Sequence, residues 1–114
     1  MQPPQIPNAA CRMDALAEAG AFSILIPTNF GGLSGGAEDL VKVARTIGRY
    51  DPAASWVTVI SNGSAMLAQR FPETAVERVF ENGPARMSSI IVSQAGESRR
   101  EDGGYRITGK WPFA

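Results

Sequence analysis

The 114-residue sequence contains no histidine and a single cysteine, Cys11. The commonest general base and the usual metal ligand are therefore missing, which excludes Ser-His-Asp hydrolases, Cys-His proteases and His-ligated metal centres. One cysteine allows neither an intramolecular disulfide nor a cysteine-based zinc site. Cys11, beside Arg12 alone, reads as a small hydrophobe near a helix start rather than a reactive thiolate. The glycine cluster Gly31-Gly32-Leu33-Ser34-Gly35-Gly36 precedes a helical pattern, a place where backbone N–H groups can hold a phosphate. It lacks the Lys-Ser/Thr ending of a nucleotide-binding loop, and Glu38 and Asp39 would repel a phosphate, so it reads as a structural loop. Asn62-Gly63-Ser64 has the form of a glycosylation acceptor but falls inside a helical pattern, with no sign of export. Arg99-Arg100 followed by Glu101-Asp102 is self-neutralising and reads as a solvated turn. Trp111 and Phe113 lie beside Pro112 at the end of a strand pattern. They fit either a wall for a stacked ring or simple core packing.

The rest of the composition is that of an ordinary globular chain. Hydrophobic residues make up 44% and charged residues 19%. Eleven basic residues balance eleven acidic ones, which argues against a nucleic-acid binder or a polybasic membrane anchor. No apolar run approaches the roughly 20 residues of a membrane span. The Pro-rich start has neither the basic nor the apolar region of an export signal, so the expected location is the cytoplasm.

Asn8 can cap a helix from about Ala9 to Ala19, with Gly20 in the left-handed position beyond its end. Phe22 to Ile26 is a short apolar run, either a strand or a buried connector. Leu40, Val43, Ala44 and Ile47 recur at helical spacing in a segment from about Ala37 to Ile47. Asp51-Pro52 is a compact helix start. It opens a segment to about Arg70 that carries Trp56, Val57, Val59, Ile60, Met66 and Leu67, of which Trp56 is a core candidate by default. Local propensity within Trp56–Ile60 favours a strand, but the cap and the length favour a helix. A further helix after Pro72 places Val76, Val79 and Phe80 on one face and stops at Gly83-Pro84. Met87–Ser93 and Tyr105–Lys110 read as strands, with Asp102-Gly103-Gly104 as a tight turn before the second.

Read in order, these segments resemble a known family. Leu16-Ala17-Glu18-Ala19-Gly20-Ala21-Phe22-Ser23-Ile24-Leu25-Ile26-Pro27, followed by Phe30-Gly31-Gly32, resembles the N-terminal helical domain of the acyl-CoA dehydrogenase superfamily. Arg49 to Val57 is similar to its next helix junction. Gly103 to Ala114 is similar to the β-domain strand that leads to the flavin. The Trp111-Pro112-Phe113-Ala114 ending leans toward the flavin-dependent monooxygenases that share this fold. These take reduced flavin from a reductase and hydroxylate aromatic or polyketide-like substrates.

The resemblance implies a mainly α fold, with an N-terminal helical domain over residues 1–84 and the beginning of a β domain over 85–114. It implies FAD or FMN in the parent protein, contacted through Val92, Ser93, Trp111, Phe113 and Ala114. It also implies a homo-oligomer and a flavin reductase as partner. Ser93 stands where the family has a flavin-contacting threonine, although Gln94 and Ala95 depart from the Glu-Pro that follows it there. The family's catalytic carboxylate lies in a later part of the protein, so no catalytic residue and no metal ligand is assigned. The sequence reads as a piece of a longer flavin oxidoreductase, either a dehydrogenase or a monooxygenase, and inactive alone. A non-catalytic helical interaction module is the alternative. The apolar residues Ile90, Val92, Tyr105, Ile107, Trp111 and Phe113 would drive self-association if left uncovered. Far-UV circular dichroism is expected to be dominated by helix; a sheet-dominated spectrum would remove both the fold and the resemblance.

Overall fold

Each helix begins where its capping chemistry lies. In the computed structural model, which describes residues 8–84 and 96–112, the Asn8 side chain accepts the Cys11 N–H at 2.8 Å and starts α1, Ala9–Glu18. Gly20 follows with φ of 83°, the left-handed value that favours glycine after a helix. After a single short turn at Thr28–Phe30 comes α2, Ala37–Gly48. Asp51 accepts the Ala54 N–H at 3.0 Å and, with Pro52 in the first turn, opens α3, Pro52–Ala68. The helix reading of Trp56–Ile60 stands, because the cap and the tertiary packing outweigh local β propensity. The last helix among the described residues is α4, Glu73–Phe80. Among the described residues, strand pairing is confined to a hairpin of β1, Gly96–Glu101, and β2, Gly104–Gly109, in antiparallel register with Arg99 opposite Arg106.

Phe22–Ile26 is a buried connector and not a strand: Phe22, Ile24 and Ile26 are all buried, and the backbone runs through turns. Its polar groups are met by the next loop and by α3. The Leu33 N–H reaches Ser23 O at 3.0 Å, the Ser34 N–H reaches Ile26 O at 2.8 Å and the Gly35 N–H reaches Ile24 O at 2.7 Å. Loop and connector lie so close that a Cβ at Gly32 would collide with the backbone carbonyl of Ile26. The glycine cluster is thus a packing device. The first turn of α2 is closed by its own carboxylate, with Asp39 Oδ2 accepting the Gly36 N–H at 2.8 Å.

The polar fastening of the connector comes from α3. Asn62, fully buried, accepts the Leu25 N–H at 3.1 Å and donates through Nδ2 to Ala21 O at 2.8 Å and Thr58 O at 2.9 Å. Gln69 Nε2 adds a bond to Leu25 O at 3.1 Å. The apolar core beside this clamp is Ile26, Ala65, Val76 and Phe80, with Phe30 packed against it and tilted on Phe80 at 5.5 Å between ring centroids. Asn62 is inaccessible as a glycosylation acceptor. The helices are tied further by Ser55 Oγ donating to Ala44 O at 2.7 Å and by an Arg12–Asp51 ion pair at 2.9 Å.

The sequence reading of α3 needs one correction. The residues it buries are Ala54, Thr58, Ser61, Asn62, Ser64 and Ala65, while Trp56, Val59, Met66 and Leu67 are exposed. Connector backbone lies against α3, so small and polar residues face inward to approach and satisfy it. Asn62→Ala would strand the Leu25 N–H and the Ala21 carbonyl in a dry interior, and is expected to cost about 3 kcal/mol of stability. Urea unfolding followed at a helix signal measures this, and a loss under about 1 kcal/mol would show that water reaches the clamp.

Candidate functional site

The β2 end carries the one candidate cofactor residue that lies within the described structure. Side chains alternate along a strand, so Tyr105, Ile107 and Trp111 share a face. Across the ladder that face continues through Arg100, Ser98 and Gly96. Trp111 sits at its end, 47% exposed. A Cβ built on Gly96 would stand 2.8 Å from Trp111 Cζ2, so the indole occupies the space that a side chain at position 96 would take. The ring is a flat apolar surface braced on backbone at the open end of a hairpin, and it is not sunk in a core. Val92, Ser93, Phe113 and Ala114, the other cofactor-contact residues suggested by the sequence, lie outside the described residues, as does the Met87–Ser93 strand.

The opposite face of the hairpin is charged. Glu97, Arg99, Glu101, Arg106 and Thr108 alternate onto it. Arg106 Nε donates to Glu101 at 2.6 Å, and this hydrogen bond holds the guanidinium above its usual pKa. Arg99, Arg100 and Glu101 therefore form a strand, contrary to the solvated turn expected from sequence; the turn is confined to Asp102-Gly103, where Gly103 has φ of 86°. The strand was hard to see because it is exposed on both faces and lacks the apolar alternation that marks half-buried strands.

The helical part offers shape rather than reactive groups. A recess of about 400 Å³ is lined mainly by Ala15, Leu16, Ile47, Tyr50 and Ala54 with Arg12 and Asp51. A second, of about 310 Å³, lies between Pro27, Phe30, Gln69, Phe71 and Val76. Among the described residues no group of three His, Cys, Asp or Glu side chains converges to hold a metal, and Cys11 is exposed. Sequence reasoning did not single out Asn62 and Gln69 as the connector's clamp. The available signal was the spacing of small and polar residues at 54, 58, 61, 62 and 65, which defines a second helical face.

A helical unit is followed by an antiparallel hairpin that ends in a braced, half-exposed indole. The family model described as acyl-CoA dehydrogenase, N-terminal domain, matches residues 2–83, and the chain belongs to that family. It is 34% identical over 95 residues to a pigment production hydroxylase of a Rhodococcus species, covering 83% of this chain and 24% of that protein. It is 30% identical over 105 residues to the FADH(2)-dependent resorcinol hydroxylase, oxygenase component, of Rhizobium sp. strain MTP-10005, covering 92% and 26% respectively. XiaF from Streptomyces sp., solved in complex with FADH2 and glycerol, superposes with a TM-score of 0.85 at 33% identity, over 96% of this chain and 27% of that one. The chain thus spans about a quarter of the length of the relatives it matches.

Gly96→Val is expected to displace the indole from the ladder end. With Trp56→Phe as background, Trp111 is the sole tryptophan and its fluorescence should shift to longer wavelength. Unchanged emission would show that the ring does not rest on residue 96.

Proposed function

We propose that the chain forms the N-terminal helical domain, residues 1–84, and the opening of the β domain, residues 85–114, of a reduced-flavin-dependent monooxygenase that hydroxylates aromatic substrates. The observation that carries this reading is the likeness, over nearly the whole chain, to a structure that holds FADH2. The resorcinol and pigment production hydroxylases among the relatives favour hydroxylation over acyl-CoA dehydrogenation.

The described residues fit a flavin as one part of its pocket. A planar amphipathic ring needs a flat apolar wall and a few polar contacts at its rim. Trp111 offers such a wall, half-exposed and braced from behind by the Gly96 backbone. Phe113, Ala114 and Val92 would extend the apolar lining, and the Ser93 hydroxyl would hydrogen-bond the ring's edge. Reduced flavin, when bound, supplies the electrons that activate oxygen. This chain's residues would orient the ring and keep water from one side of it. FAD is favoured over FMN by the relatives' own descriptions. An oxygenase component that consumes reduced flavin calls for a separate flavin reductase, and such a pair would work in the cytoplasm, with the oxygenase as a homo-oligomer.

One wall does not make a binding site, because a large cofactor must recover its lost translational freedom from contacts on several sides. The chain alone is expected to bind FAD only at about millimolar concentration or weaker, and to show no hydroxylation. Extension by the downstream region that its relatives possess is expected to restore quenching of FAD fluorescence at micromolar protein. An extended, folded chain that leaves FAD fluorescence unchanged would overturn the flavin reading in favour of a non-catalytic helical module.

A further inference from the structure

Asparagine followed by glycine is a chemically labile pair, because glycine has no side chain to shield its amide nitrogen from the neighbouring carboxamide. The sequence holds two such pairs, Asn62-Gly63 and Asn82-Gly83. The fold puts them in opposite situations. Asn62 is fully buried, its carboxamide engaged by the Leu25 N–H and the carbonyls of Ala21 and Thr58. Gly63 lies inside α3, where its backbone is held in the helical ladder. Asn82 is exposed just past the end of α4, and no group among the described residues hydrogen-bonds its carboxamide. Gly83 has φ of 102°, and a Cβ there would meet nothing within 4 Å. Its N–H makes a single bond, to Phe80 O at 2.9 Å, in a terminal turn of the kind that opens most readily.

We propose that Asn82-Gly83 is a site of spontaneous backbone modification, at which Asn82 closes to a succinimide and reopens to isoaspartate and aspartate, while the fold spares Asn62. The Gly83 amide nitrogen, having lost its proton to solvent, attacks Asn82 Cγ. The new N–Cγ bond forms, the Cγ–Nδ2 bond breaks, and Nδ2 takes up a proton and leaves as ammonia. Water then adds to one of the two ring carbonyls. Opening at Cγ gives aspartate; opening at the main-chain carbonyl gives isoaspartate, with the chain now running through Cβ and Cγ. One water is consumed and one ammonia released, with no oxidant or reductant. The same attack at Asn62 would require the carboxamide to abandon three hydrogen bonds and Gly63 to leave the ladder, which amounts to opening the core of the helical part. The product stands where it has an effect. It adds a carboxylate beside Glu81 at the C-terminal end of α4, where the helix dipole disfavours negative charge. The isoaspartyl link also lengthens the main chain between Phe80, in the core, and Pro84, whose Cδ lies 3.2 Å from the place of a Cβ at Gly31. The exit from the helical part is thereby altered without an enzyme, and none of this depends on the flavin reading.

The test is to age the 114-residue chain in mildly alkaline buffer without denaturant and, in parallel, in urea. Protease digestion and mass spectrometry then follow amide loss at each asparagine, with enzymatic methylation of isoaspartate to tell it from aspartate. The urea sample sets the rate of each pair without the fold. The fold should slow conversion of Asn62 at least about tenfold more than that of Asn82, since a core helix opens far less often than a terminal turn. Isoaspartate should appear among the products at Asn82. A chain without denaturant in which Asn82 stays intact for a period that converts it in urea overturns the proposal. So does equal slowing of the two pairs, or loss of the Asn82 amide to aspartate alone, which would mean direct hydrolysis with no ring.

Discussion

The carboxamide of Asn62 fixes the helical part of this protein. One buried side chain accepts the Leu25 N–H and donates to the carbonyls of Ala21 and Thr58, so it closes the polar groups of a segment that has no regular structure to close them. An interior strand would have satisfied those groups through a ladder; a buried connector must find other partners or leave them unmet. Because Asn62 and Gln69 supply the partners, Phe22, Ile24 and Ile26 can be buried in an irregular backbone. The core of Ile26, Ala65, Val76 and Phe80 then packs beside a connector held by these hydrogen bonds.

This constraint explains why α3 is built the other way round from an ordinary surface helix. A face that must approach backbone closely and hydrogen-bond to it takes alanine, serine, threonine and asparagine. The bulky residues are left for the outside. By residue type Trp56 reads as core, yet it lies on the outside. Periodicity finds the faces of a helix, but it cannot say which face meets the protein when both are capable of packing.

Other features were legible because they depend on local chemistry. Asn8, Gly20, Asp51 with Pro52, and Gly83 mark helix ends through capping and backbone freedom, and each serves that role in the structure. The mainly helical architecture with strands only after Pro84, and the resemblance to the acyl-CoA dehydrogenase family, followed from those marks in order. The β1 strand was not legible, since Glu97 to Glu101 carries no apolar alternation and pairs only with β2. Of the candidate cofactor residues, Trp111 shows how much sequence can say. Its type suggested a flat wall, but the backbone of Gly96 that braces the ring lies in a different strand, and only the register connects the two.

The contact between residue 32 and the Ile26 carbonyl limits how this domain can change over evolutionary time. A cramped side chain can often be relieved by shrinking its neighbour, but here the obstacle is main chain, identical whatever residue occupies position 26. No second-site substitution can make room. The neighbouring positions are held as well, since the Leu33 and Ser34 N–H groups bond connector carbonyls and the Ser34 hydroxyl accepts the Thr28 N–H. Divergent descendants would keep glycine at 32 together with the backbone path of the loop beside it.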